Sequence, residues 1–339
     1  MSGKNKRNIK TILTAAGIIA VGLAAAGAVT YISKSRGSSG DEQQLETEEV
    51  QSVSSDTVIW NGKEYTYNNH LTNYLMLGID SREKAETSTG QANAGQADAI
   101  YLVTRDRVEN TVTMITIPRD TMTEIALFGP GGESLGTNTD HISLSYAYGD
   151  GRYESCELTK EAVSNLFYGL PIQSYCALNM DGIPILTESV GSLSVTVPNN
   201  SLEGAYPEYA EGAEVTLDAD NTEMFVRYRD TETSQSALAR MERQQVYIRT
   251  FGEAARSKQQ EDTGYATELY LSLKPYMVTN MNSGEFAKLA ESLTDGIVQE
   301  GWTVPGKGVE GSTYDEYYAD DDALYANIIE TFYEEAQQK

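Results

Sequence analysis

Residues Thr111–Thr121 read TVTMITIPRDT. The run is short, rich in β-branched side chains and closed by Pro118, which predicts a largely buried strand. Its carboxyl end delivers Arg119 and Asp120, a guanidinium and a carboxylate, to the rim of a sheet, where α/β proteins bind their ligands. Upstream, Asp98–Thr104 predicts a strand and Arg105–Asn110 a turn. A hairpin centred near Val108 sets Asp98 opposite Pro118. The strand Asn73–Ile79, NYLMLGI, ends at Asp80-Ser81-Arg82, and if it runs parallel to Thr111–Ile117, Asp80 joins the same rim. Three carboxylates and two arginines then converge.

Around this centre, Val58–Tyr67 predicts a hairpin turning at Asn61-Gly62, and the small polar stretch Glu83–Gln96 a mobile loop. Gly129–Gly136 reads as a glycine-rich loop, too irregular for a phosphate cradle. Helices are expected at Thr139–Tyr148, Glu157–Tyr168 and Asp181–Val190, with strands at Ser174–Asn179 and Leu193–Val197. Strands alternating with helices predict an α/β fold, a central mixed sheet flanked by helices. Asp218 can cap a helix running to about Phe225; Arg227 and Arg229, two apart, share a side only if that helix ends there. A long helix over Ser236–Arg256 puts Arg240, Arg243 and Gln244 on one face. Residues 263–339 hold amphipathic stretches at Gly284–Leu293 and Ala323–Tyr333, and the acidic run Asp320–Asp322 suits a helix start. They read as an extension packed on the same domain, with a separate acidic module as the alternative.

The amino terminus carries a different signal. Thr11–Ser33 has no charged side chain and is long enough to span a bilayer as a helix, while Lys4, Lys6, Arg7 and Lys10 precede it. This predicts a cytoplasmic tail over 1–10, a transmembrane anchor over 11–33 and an extracellular domain from 57. A cleaved signal peptide is the rival, because Ala24-Ala25-Ala26 resembles a cleavage site, but the apolar run exceeds the usual length. Residues 34–56, rich in Ser, Gly, Gln and Glu, read as a disordered linker.

The 339-residue chain carries a formal charge of −25, which argues against general nucleic-acid binding. Against that background, five arginines and no lysine fall between Arg227 and Arg249. Any one of them could be a surface ion pair; as a cluster they suit an anion, because guanidinium forks match phosphate oxygens in pairs. The two cysteines, Cys156 and Cys176, either form a disulfide or stay as buried thiols. With two Cys and two His, no zinc-site spacing exists.

These residues resemble the LytR-CpsA-Psr family of cell-wall enzymes. The resemblance lies in Leu77-Gly78-Ile79-Asp80-Ser81-Arg82, Ala97-Asp98, Ile117-Pro118-Arg119-Asp120-Thr121, Val226-Arg227-Tyr228-Arg229 and Arg240-x-x-Arg243-Gln244-Gln245, within a motif core over residues 71–251. It implies transfer of a glycopolymer from a polyprenyl-pyrophosphate carrier to a peptidoglycan hydroxyl outside a bacterial membrane. It also implies Mg²⁺ held by Asp80 and Asp98, with Arg82, Arg119, Arg227, Arg229, Arg240 and Gln244 around the pyrophosphate; Arg243, on the same helical face, joins that set. Phosphoryl transfer fits the residues on its own terms, since hard oxygen ligands and arginines neutralise charge on the phosphates. Asp120 is a candidate base, or it orients Arg119.

The chain departs from the family pattern at Gln96, where an arginine is common, at Ala237, where an aspartate is, and over Thr187–Ser192. Loss of the arginine keeps open a lipid-pyrophosphate-binding or regulatory protein with little turnover. Hydrolysis of the lipid pyrophosphate by water is a third reading, and transcriptional regulation suits an acidic extracellular domain least.

Overall fold

Each central strand carries two apolar sets, one for each face, and this fixes a three-layer arrangement. The structure, a computed structural model, describes residues 57–82, 84, 94–129 and 132–336. The expected tail, anchor and linker lie outside the described residues, as does most of the loop expected over 83–96. Among the described residues no helix is long and apolar enough to cross a membrane.

Strands β1 (Thr57–Trp60) and β2 (Lys63–Tyr67) form the expected hairpin, with Asn61 and Gly62 at positive φ as a two-residue turn requires. Strands β3 (Leu71–Ile79), β4 (Ala97–Asp106) and β5 (Thr111–Ile117) make an antiparallel meander. The ladder pairs Ile100 with Ile117, so its continuation sets Asp98 across from Arg119 rather than Pro118, one residue from the expected register. Strands β3 and β5 run the same way, which brings Asp80 and Arg119 to one rim.

The next segment departs from expectation. Strands β6 (Met122–Phe128) and β7 (Ser134–His141) form a hairpin where a glycine loop and the start of a helix were expected, and only the short α1 (Leu144–Ala147) remains of that helix. Strand β7 is polar and almost wholly exposed, so it lacks the apolar alternation by which strands are recognised.

Helix α2 (Tyr153–Leu166), strand β8 (Ser174–Asn179), helix α3 (Gly182–Val190) and strand β9 (Leu193–Thr196) follow the expected alternation. Strand β10 (Glu214–Leu217) pairs with β9 and leads to helix α4 (Thr222–Arg227) and the long α5 (Ser236–Glu261). Beyond it come α6 (Tyr265–Leu273), β11 (Met277–Thr279) and α7 (Ser283–Asp295), which Asn282 and Glu285 begin with reciprocal capping bonds. Short strands β12 (Ile297–Val298) and β13 (Trp302–Thr303) pair parallel with β5. The hairpin β14 (Gly306–Glu310) and β15 (Asp315–Ala319) precedes α8 (Asp321–Phe332), capped by Asp320, and β16 (Tyr333–Glu335) returns to β2.

The main sheet is mixed, in the order β11-β8-β3-β4-β5-β12, with β13 also on β5. On one face Tyr74, Met76, Tyr101, Val103 and Val112 pack with residues of α3 to α7; on the other Leu75, Leu77, Ile100, Leu102 and Ile115 pack with α1, α2 and α8. The expected α/β class and flanked mixed sheet are therefore what the chain forms.

The cysteines sit in opposite layers, Cys176 on the first face and Cys156 on the second. Both are buried free thiols, which corrects the disulfide alternative: the sheet lies between them. Burial holds both thiols well above the ordinary cysteine range. Native protein is therefore expected to leave both unreactive toward an aromatic disulfide reagent, to release two thiols on denaturation, and to melt at the same temperature with or without reductant. A reductant-dependent melting temperature would contradict the free-thiol state.

Candidate functional site

Asp80 leaves the end of β3 at a break in strand register between Gly78 and Ile79. Gly95 lies against it with φ +78°, and a Cβ there would stand 2.9 Å from Asp80 Oδ1, so glycine alone permits the approach. The Gln96 amide donates to the same oxygen at 2.5 Å. Burial raises the Asp80 pKa above the usual carboxylate value; the Gln96 amide opposes this, Asp98 reinforces it, and Arg119 and Arg227 act with the amide.

Asp98, at the start of β4, is shared by two guanidiniums. One oxygen accepts from Arg119 Nη1, the other from Arg240 Nη1 at 2.8 Å. Arg119 is held on every side: Nε donates to Asp120 at 3.0 Å, and Nη2 to Gln96 Oε1 at 2.6 Å and Ser143 Oγ at 3.2 Å. Arg240 is only 6% exposed, yet its Nε and Nη2 are buried without a hydrogen-bond partner among the described residues. Burial lowers its pKa despite Asp98, with Arg119 and Arg229 adding to the effect. A buried guanidinium with two idle donors is a place for oxygen acceptors to arrive.

The outer arginines are paired differently. Arg82 donates to Asp181 at 2.5 Å and also to Glu223, and Glu223 accepts from Arg227 at 2.7 Å. Helix α4 ends at Arg227 and Tyr228 is extended, the break that convergence of Arg227 and Arg229 required. Arg229 nevertheless opens into a separate polar cleft with Arg119, whereas Arg227 lines an apolar one. Gln244 donates to the Val226 carbonyl at 3.2 Å and also lines the apolar cleft.

Arg243 does not join the set. It is fully buried and donates to the backbone carbonyls of Phe225 and Tyr228 and to Ser201 Oγ. It ties α5 to the end of α4, and burial pushes its pKa down to about 10.

Two clefts meet at this rim. The apolar one, about 150 Å³, lies between the sheet and α3, α4 and α5, with Met76, Tyr101, Leu186 and Tyr247 in its walls and Asp80, Asp98 and Arg227 at its mouth. It is open because Gly78 faces Ala99 across β3 and β4, leaving no large side chains there. The polar one, about 550 Å³, lies beyond Arg119 and Asp120 and is walled by the 229–236 segment and the β14–β15 turn. Its residues His141, Ser234 and Tyr314 carried no signal in the sequence, nor did Ser143 beside Arg119, because distant segments assemble them.

Asp80 and Asp98 offer hard oxygen donors, and among the described residues no third metal-ligating side chain stands with them. That pair fits an ion of the magnesium type, which is commonly held by one or two carboxylates together with substrate phosphates.

The LytR_cpsA_psr family model matches residues 29–331. The chain is 30% identical over 174 residues to "Polyisoprenyl-teichoic acid--peptidoglycan teichoic acid transferase TagU" of Halalkalibacterium halodurans, covering 51% of this chain and 50% of that protein. It is 25% identical over 257 residues to the TagU of Bacillus cereus, 75% of each chain. The chain thus spans about half the length of the first of these relatives. Among solved structures, protein gbs0355 of Streptococcus agalactiae superposes with a TM-score of 0.61 at 18% identity, over 77% of this chain and 87% of that one. TagT bound to LI-WTA gives 0.56 at 21% identity, over 77% and 89%. These structural likenesses are likenesses of fold.

The site gives two expectations. Because the folded-state pKa of Asp80 is raised, the stability it contributes is fully present below its unfolded pKa and is lost as pH rises through the folded value. Asp80→Asn should therefore raise the melting temperature of metal-free protein at pH 7, with the gain shrinking in acid; no gain at pH 7 would refute the desolvated carboxylate. Arg243→Met should instead destabilise, by about 1–3 kcal/mol for each acceptor left without a donor, as read by urea denaturation.

Proposed function

The chain belongs to the LytR-CpsA-Psr family, and from that premise we propose that it is a phosphotransferase moving a glycopolymer from a polyprenyl-pyrophosphate carrier to a peptidoglycan hydroxyl. Its site faces the outside of the membrane, anchored by the amino-terminal apolar segment. The observation that carries the reading is Arg240, whose buried Nε and Nη2 lack a partner among the described residues while its Nη1 holds Asp98, a carboxylate that also borders the apolar cleft. Pyrophosphate oxygens would satisfy those donors while the isoprenoid tail enters the cleft.

In this reading the acceptor oxygen attacks the glycan-bearing phosphorus. The bridging P–O bond breaks, polyprenyl phosphate leaves, and the hydroxyl proton passes to solvent. Arg119 and Arg240 bind the oxygens on which charge develops, and Asp120 orients Arg119 through its Nε bond. Arg227 and Gln244 line the apolar cleft, Arg82 is linked to Arg227 through their shared Glu223, and Arg229 lines the polar cleft. Asp80 and Asp98 would hold Mg²⁺, which when bound supplies charge neutralisation for the phosphates.

A lipid-pyrophosphate-binding protein with little turnover is the second reading, favoured by Gln96, a neutral amide where the family commonly carries an arginine. The deciding experiment incubates the full chain with labelled polyprenyl-pyrophosphate oligosaccharide and peptidoglycan oligomers, with and without Mg²⁺. Metal-dependent label on the acceptor is expected, and Asp98→Ala should cost at least about a hundredfold in rate while the variant still folds. Unchanged, bound lipid with wild-type protein would favour the second reading; a fully active, folded Asp98→Ala variant would sink the role of Asp98.

A further inference from the structure

The polar cleft shares Arg119 with the proposed pyrophosphate site but lies outside the apolar cleft proposed for the lipid tail. Resting on the transferase reading, we propose that it is the acceptor subsite, taking the uncharged glycan backbone of peptidoglycan with Tyr314 as the wall on which a sugar stacks.

Position is the first argument. The apolar and polar clefts adjoin the Asp98–Arg119 ion pair, the first bordered by Asp98 and the second by Arg119 and Asp120. In-line displacement needs the attacking hydroxyl opposite the leaving group. With the isoprenoid in the apolar cleft, the hydroxyl enters from the polar one. A cleft of about 550 Å³ lies within the usual range for small-ligand sites.

Lining chemistry is the second. The cleft offers the Thr231 hydroxyl, and the Thr233 and Ser234 hydroxyl oxygens as acceptors while their protons go to Asp230 and Asp315, groups suited to sugar hydroxyls and acetamido N–H. Tyr314 is 72% exposed, but its ring is not loose: it meets His141 edge-on with centroids 6.4 Å apart. His141 Nε2 donates to the Asp315 carbonyl at 2.8 Å. The Asp315 carboxylate accepts from Ser234 Oγ at 2.9 Å and from the Gln235 amide at 2.5 Å. The turn carrying Tyr314 is thus fastened to the opposite wall, and an aromatic face is held ready for the apolar side of a sugar ring.

Charge selects between the two glycans of the reaction. Glu232, Glu310 and Asp315 border the cleft, while its arginines, Arg119 and Arg229, lie toward the rim. Carboxylates along the wall repel a phosphate-bearing polymer such as a teichoic acid donor and leave a neutral saccharide undisturbed.

The test titrates the full chain, in detergent micelles, with a soluble tetrasaccharide of peptidoglycan glycan, read by calorimetry. Saturable binding is expected, weakened about tenfold or more by Tyr314→Ala and restored by Tyr314→Phe. Both variants should bind polyprenyl pyrophosphate as the wild type does. In transfer assays Tyr314→Ala should raise the acceptor KM by a similar factor and leave the donor KM unchanged. The proposal is overturned if wild-type protein that binds the lipid pyrophosphate does not bind the tetrasaccharide, if Tyr314→Ala binds it equally well, or if the donor KM rises instead. A wild-type chain that fails to bind polyprenyl pyrophosphate overturns the transferase reading and this proposal together.

Discussion

The carboxylate of Asp98, divided between Arg119 at the sheet rim and Arg240 on α5, is the contact on which the site depends. It fixes how far the long helix stands from the ends of β4 and β5, and so fixes the mouth of the apolar cleft between them. Energetically it keeps Arg240 charged in a buried position. An unpaired guanidinium there would carry a large desolvation cost, and removing one partner of such a pair costs more than the pair itself contributes. The pairing is incomplete, because one carboxylate cannot occupy all the donors of two arginines. In the proposed reading, the unsatisfied remainder on Arg240 is what would draw a polyoxyanion to the rim.

The rim was largely legible in the sequence because strand order and hairpin register follow from apolar runs and turn length. Those alone bring Asp80, Asp98 and Arg119 together, with an error of a single residue across the β4–β5 ladder. The helix does end after Arg227, as convergence of Arg227 and Arg229 required, yet the two line different clefts, so the premise of that expectation did not hold. The β6–β7 hairpin was not legible, because an exposed polar ribbon has no face to bury and therefore no alternation to detect. Nor was the polar cleft, whose walls come from segments some eighty residues apart held by Asp315.

Arg240 and Arg243 show where helical periodicity runs out. An i, i+3 pair shares a face, yet a rise of about 1.5 Å per residue moves the second side chain roughly 4.5 Å along the axis. That displacement is enough to carry Arg243 away from Asp98 and over the carbonyls of Phe225 and Tyr228. The same residue type thus serves ligand chemistry at one position and backbone satisfaction at the next turn. Which carbonyls lie near is a property of the fold, so the sequence pattern groups the two together.

Gln96 bears on how an acidic protein could manage the anionic substrate of the proposed reaction. Screening at physiological ionic strength confines exposed charges to about 8 Å, so the overall charge of −25 sets only the general repulsion and the rim decides binding locally. There Arg82 and Arg227 share Glu223, and Arg119 is divided between Asp98 and Asp120. In the proposed reaction an incoming pyrophosphate would compete with these carboxylates. An arginine at position 96 would add charge but would place a second guanidinium against Arg119. The amide instead accepts a hydrogen bond from Arg119 Nη2 while its backbone N–H holds Asp80. The chain exchanges one positive charge for a firmer orientation of the arginine it keeps, and orientation is the part of electrostatic catalysis that a bound cation cannot supply.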